Sequence, residues 1–300
     1  GTGTVVANVT VADGGILEPG ASPGTLTIDG SLVLNNTSVL NYELGAANDP
    51  TNALNDRTDI VAVSPGSTGN LTLDGTLNVT QSTGGAFTAG YYRIFNHAGT
   101  LTDNTLAVGT LPAGTFTGTV LTNVAGQVNL RVGDGTQVTQ YWDGTDTTND
   151  GTVDGGAGTW NTANTNWTTS NGAFNDQWLS QRGIFQGTAG NVFVDGTQDF
   201  ERLDFEVSGY QLTPTVPATD IIRLNPDSAP ANLPTLAALT TPSTALGTIS
   251  VVDGAFATIN TPISGTGTTG LLKIGGGTLQ LTGTNTYTGD TRIQAGTLDL

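Results

Sequence analysis

A five-residue unit, Gly-Thr-Leu-x-Leu, occurs at residues 277–281 and again nineteen residues on at 296–300, and this spacing constrains the fold more than any other feature. In each copy leucine alternates with a polar residue, so one face of a short strand is buried and the other wetted. The run between them, residues 283–289, is dominated by Thr, Asn and Gly, which suit turns and side-chain-to-backbone hydrogen bonds. Strand, turn, strand, turn at a short fixed period is the pattern of a solenoid, in which each coil stacks on the next. The chain stops inside this pattern, so a piece of a longer solenoid is expected.

Related phrases lie near the other end. Residues 24–34 read GTLTIDGSLVL and residues 69–79 read GNLTLDGTLNV, aligning position for position at a separation of forty-five residues. At roughly 20–25 residues per coil this predicts two coils of a parallel β-helix between them. Leu26 and Ile28, or Leu71 and Leu73, are expected to point inward. Thr27 or Thr72 points outward, and Asp29-Gly30 or Asp74-Gly75 forms a corner. A weaker strand of this kind runs through residues 249–254. A β-sandwich of short strands with Gly-rich turns is the alternative fold.

Composition narrows the class. Gly is 43 of 300 residues and charged residues are 11%, against typical values of about 7% and about 25%. The bursts of Thr, Val, Leu and Ile argue against disorder. No long segment has a 3.6-residue apolar period, and none approaches the ~18 apolar residues of a membrane-spanning helix. The chain begins at Gly1 without a signal peptide, so any targeting segment is expected to lie outside it. Twenty-five acidic residues against eight basic ones give a net charge of −17, which excludes nucleic acid and anionic membrane surfaces as partners. With no cysteine there are no disulfides, thiol nucleophiles or thiolate metal sites.

The closing segment, GGGTLQLTGTNTYTGDTRIQAGTLDL, closely resembles the passenger-associated repeat of bacterial autotransporters, from Gly275 through Asn285-Thr286-Tyr287 to Gly296-Thr297-Leu298. The phrase GGILEPGASPGTL at residues 14–26 and the tryptophan-bearing stretch at 141–167 are also similar to passenger segments. The resemblance implies an all-β, right-handed parallel β-helix, exported and displayed on a bacterial cell surface. It implies a structural stalk that projects or presents adhesive function. Host or environmental glycans or surfaces, or copies of the chain itself, are the candidate partners. The chain is read as one elongated solenoid: regular coils at 1–139, an irregular Trp- and Pro-rich section at 140–245, and regular coils at 246–300. In the repeat, Asn285 and Thr286 are expected to bond backbone at a corner, with the Tyr287 ring packed over a neighbouring coil.

The irregular section holds the residues to weigh for function. Trp142, Trp160, Trp167 and Trp178 are the chain's four tryptophans. Exposed, they would stack on sugar rings; buried, they would form a small aromatic cluster covering irregular strands. Asp146, Thr148, Asp150, Gly151 and Asp154 fall at positions one, three, five, six and nine of a calcium loop of the EF-hand kind. Ala157 stands where the bidentate Glu is required, so Asp146, Asp150 and Asp154 are weak calcium ligands, and no other cofactor is expected. Trp160 in place of an Asp rejects a calcium-binding nonapeptide reading.

Catalysis finds little footing, and no enzymatic activity is expected. His97 is the single histidine, and no Gly-x-Ser-x-Gly elbow accompanies it. Asp199, Glu201, Asp204 and Glu206 cluster around Arg202, as in β-helical polysaccharide lyases and hydrolases. Their alternation with Leu203, Phe205 and Val207 also describes an ordinary surface strand. Half of the twelve prolines fall between Leu212 and Pro242, predicting a loop-rich excursion with one short helix near residues 233–239.

Overall fold

A computed structural model describes residues 3–20, 23–225 and 246–300. Among them every regular element is a strand, and no helix is long and apolar enough to cross a membrane. The chain forms two compact units, Gly1–Gly135 and Thr136–Leu300.

In the first unit each strand pairs in parallel with the strand three places later. One ladder holds β1 (Gly3–Val5), β4 (Thr25–Asp29), β7 (Arg57–Val61) and β10 (Gly90–His97). A second holds β2 (Val9–Val11), β5 (Leu32–Leu34), β8 (Leu71–Leu73) and β11 (Leu101–Asp103). The third holds β3 (Ile16–Leu17), β6 (Val39–Leu44), β9 (Thr76–Gln81) and β12 (Ala107–Val108). The register puts like on like, as in Leu32 beside Leu71 and Leu40 beside Leu77. All four are fully buried, and each contributes about 1.5–3 kcal/mol through its removal from water. After β12 the parallel pattern ends. There β14 (Gln127–Gly133) pairs antiparallel with β10 across a bulge between Arg93 and Phe95, and β13 (Thr117–Leu121) pairs antiparallel with β14.

The second unit repeats the scheme. Its first ladder runs β15 (Thr139–Trp142), β19 (Arg182–Phe185), β22 (Arg202–Phe205), β25 (Leu246–Val251), β28 (Gly270–Ile274) and β30 (Thr291–Ile293). Its second runs β16 (Gly158–Trp160), β20 (Asn191–Val194), β23 (Gln211–Pro214), β26 (Phe256–Ile259), β29 (Thr278–Leu281) and β31 (Thr297–Asp299). A shorter ladder holds β21 (Thr197–Phe200), β24 (Ile221–Leu224) and β27 (Ile263–Gly265). Two short strands, β17 (Trp167–Thr168) and β18 (Asn175–Asp176), extend the first ladder antiparallel beyond β15.

The nineteen-residue repeat is one step of a ladder: Thr278 pairs with Thr297 and Leu279 with Leu298. Gly275 and Gly296, in the turns that lead into these two paired strands, both have φ 72°. Asn285 Oδ1 accepts the Ile263 amide at 2.9 Å, the Thr286 amide donates to the Ile263 carbonyl at 2.8 Å, and Tyr287 packs against the core. Of the strand expected at 249–254, residues 249–251 lie in β25 and 253–254 form the turn after it. The helix expected near 233–239 and four of the clustered prolines lie outside the described residues.

The earlier pair of phrases behaves otherwise. Residues 24–34 supply β4 and β5, whereas 69–79 supply β8 and β9, so the second phrase sits one ladder further round. Leu71 lies beside Leu32, while Leu26 lies beside Thr58. The two phrases therefore belong to successive passes of the chain rather than passes two apart. Length in the connections is the cause: residues 45–56 form an ordered loop in which Asn55 caps the Gly45 and Ala46 amides at 2.9 and 3.0 Å. Corner Asp29 is 7% exposed and serves a neighbouring pass: its carboxylate accepts the Val63 amide at 2.9 Å and the Ser67 hydroxyl at 2.7 Å. Hydroxyl bonds from Ser64 and Ser67, with the amides of Val63 and Ser64, hold its pKa far below the usual carboxylate range.

Candidate functional site

The four tryptophans come together inside the second unit. Trp142, Trp160 and Trp167 have no exposed surface and Trp178 is 8% exposed. Trp167 lies at the centre, with ring centroids 5.3 Å from both Trp142 and Trp160 and 4.3 Å from Trp178. Phe185 continues the cluster, 5.5 Å from Trp167 and stacked on Phe205 at 4.8 Å. The edge-to-face and tilted pairs match the preferred geometry of aromatic quadrupoles. Two indoles find polar partners, Trp142 Nε1 on the Gly156 carbonyl at 2.9 Å and Trp178 Nε1 on the Asp199 carbonyl at 2.6 Å. Backbone space is fitted to the rings: a Cβ on Gly183 would lie 2.8 Å from Trp167. The cluster fills the core where the parallel ladder gives way to antiparallel β17 and β18. A sugar needs an open ring face, and these residues offer none; the glycan-stacking assignment does not carry to them.

The acidic loop is assembled differently. Carboxylate oxygens of Asp146, Asp150 and Asp154 all lie within 4.8 Å of one another, with Asp146 half-buried and the others exposed. Asp146 Oδ1 accepts the Thr148 amide and hydroxyl at 2.8 and 2.9 Å, and Asp150 Oδ1 those of Thr152, both at 2.8 Å. The Thr152 hydroxyl also reaches Asp154 Oδ1 at 3.0 Å. Its bonds hold Asp150 below the ordinary carboxylate pKa. Behind the loop Asp143, 2% exposed, accepts the Asp154 amide at 2.9 Å and the Asn175 side-chain amide at 3.3 Å. Burial pushes its pKa up to about 6. Three carboxylates at this separation suit a hard cation, but calcium takes about 6–8 oxygens and the twelfth loop position is Ala157.

Of the four carboxylates around Arg202, three are engaged and Glu206 is exposed. Asp204 is ion-paired to Arg182 at 2.8 Å and to Arg202 at 2.6 Å. Asp199 pairs with Arg223 at 2.6 Å, and Glu201 Oε2 accepts Gln137 Nε2 at 2.5 Å. Leu203 and Phe205 point into the core. Stacking in the ladders makes Arg182–Asp204 and Arg223–Asp199 cross-strand pairs, while Arg202 and Asp204 pair along one strand. His97 Nδ1 lies 2.9 Å from the Gly99 carbonyl, within its own turn.

Comparison with known proteins bears on the whole chain. Residues 271–300 match the passenger-associated-transport-repeat family. The chain is 40% identical, over 97% of its length, to part of the adhesin BmaC autotransporter of Brucella suis biovar 1 (strain 1330), and spans 8% of that protein. No solved structure matches.

Proposed function

Because this chain belongs to the family of autotransporter passengers, we propose that it is a segment of a right-handed parallel β-helix on a bacterial cell surface, with a structural role in presenting adhesive function. The observation that carries the reading is the parallel pairing of strands that recur two to four places on in the chain, together with similarity to an adhesin autotransporter along nearly the whole chain. Such stacking satisfies backbone groups between neighbouring passes, so order spreads along the chain without a single compact core. A low density of charge inside and many acids outside keep the surface soluble. Antibodies raised against residues 1–300 should label intact cells of the producing bacterium, and protease added outside should remove the label. Signal only after permeabilisation would sink the reading. Incubation with acidic polysaccharides should release no new reducing ends, since no acid–base pair supports hydrolysis or elimination.

One observation, the convergence of three carboxylates within 4.8 Å, favours calcium in the loop as a second reading. Asp146, Asp150 and Asp154 would then hold the ion, and calcium should raise the melting temperature while EGTA reverses the gain. A melt indifferent to both leaves the loop a set of Asp-capped turns.

A further inference from the structure

A groove of about 580 Å³ lies on the solvent face of the β12-β9-β6-β3 sheet in the first unit. Its floor follows from strand alternation: β6 buries Leu40, Tyr42 and Leu44 and turns Asn41 and Glu43 outward. β9 buries Leu77 and Val79 and turns Asn78 and Thr80 outward, with Asn41 beside Asn78 and Glu43 beside Thr80. Hydrogen bonds along this floor all run one way. The Thr110 hydroxyl donates to Asn78 Oδ1 at 3.1 Å, Asn78 Nδ2 to Asn41 Oδ1 at 3.3 Å, and Asn41 Nδ2 to Glu18 Oε1 at 2.7 Å. Such a chain spends the floor's amide donors on one another and leaves a carboxylate as its terminal acceptor.

Two more carboxylates line the groove. Asp56, 2% exposed, spends one oxygen on the Gly24 amide and the other on the Glu43 amide, each at 2.7 Å. The Glu43 carboxylate carries a like charge close enough to disfavour ionisation of Asp56, whose pKa burial already raises. Among the described residues no arginine or lysine lines the groove. It is therefore rich in acceptors, with no cationic side chain on its lining. An anionic ligand is excluded, and a sugar would find no aromatic platform. The three carboxylates also do not converge as those of the Asp146 loop do, which disfavours a single metal ion. The floor crosses four strands, or about 14 Å at ~4.8 Å per strand, room for four or five residues of extended peptide at ~3.3 Å each.

We propose that this groove binds an extended basic segment of a partner protein, seating arginine or lysine side chains against Glu18 and Glu43. The inference stands on the groove itself and is independent of surface display. The test is calorimetric titration of the intact chain with acetyl-Gly-Arg-Gly-Arg-Gly-amide at low salt. Replacing both arginines by neutral citrulline should weaken binding at least about tenfold, and Glu18→Gln with Glu43→Gln should do the same. A charge-matched control, Glu206→Gln with Asp290→Asn on exposed positions of the second unit, should stay within about twofold. Thr80→Lys, which places a cation in the groove without touching its carboxylates, should abolish binding and guards against misfolding of the double variant. Equal binding of the citrulline peptide, an equal loss in the control, or stoichiometric displacement of the peptide by calcium would each overturn the proposal.

Discussion

Two buried ionisable groups show what a single residue does in this fold. Lys273 lies on β28 in the inward phase with Leu271 and has no exposed surface. Its ammonium donates to the carbonyls of Ile274 and Gly275, both at 2.7 Å, and of Ala295 at 3.2 Å, tying one pass of the chain to the next. Burial depresses its pKa, while the three carbonyls supply the hydration it has lost. Lys273→Met strands those carbonyls and should lower stability by about 2–3 kcal/mol in urea unfolding. Asp143 responds to pH. Its folded pKa of about 6 exceeds the ordinary aspartate value of 3.8, so between the two the folded state binds the extra proton and stability falls as pH rises. The cost levels off above about pH 6. Asp143→Asn removes the titration, so its melting temperature relative to the parent should climb between pH 4 and 6.5. A constant difference would refute this assignment.

Elements here are set by turns as much as by strands. Gly275 and Gly84 both adopt positive φ, 72° and 81°, but a Cβ on Gly275 would lie 2.1 Å from the Val251 carbonyl oxygen while Gly84 has open space. Gly84→Ala meets only the backbone penalty, about 1 kcal/mol, and Gly275→Ala should cost at least about 2–3 kcal/mol because a neighbouring pass must shift. Thermal melts of the two variants compare them directly. The same reasoning explains what the sequence disclosed. Leu279 and Leu298 were legible as neighbours because the connection between them keeps a constant length. Leu26 and Leu71 were misaligned because a loop at 45–56 moves the later phrase round by one ladder, and alternation alone carries no count of turn residues. The groove stayed hidden for that reason: Glu18, Asn41, Asn78 and Thr110 are separated by unequal intervals, and only the ladders bring them together. The tryptophans gave a composition signal but no direction, since aromatic residues suit both an exposed platform and a core. Lys273 was in principle visible, because the run LLKIGG puts it in phase with Leu271.

For the molecule as a whole, the two hydrophobic cores share no residue. One is built from residues between Val11 and Val132 and the other from residues between Trp142 and Leu281. Each unit also has its own antiparallel strands where its parallel ladder stops. Residues 1–135 and 136–300, produced separately, should each show a cooperative melt and a β-type circular dichroism spectrum. Loss of structure in either piece would mean that its core depends on the other. The buried ammonium has a wider consequence, because Lys273 is the protein's single lysine. The folded chain presents no side-chain primary amine to its surroundings. Lysine-directed ligases, and the lysine chemistry of acylating dyes and aldehyde fixatives, should find no target in the folded chain, and adduct formation at Lys273 then becomes a one-atom clock for the opening of the repeat at residues 271–300.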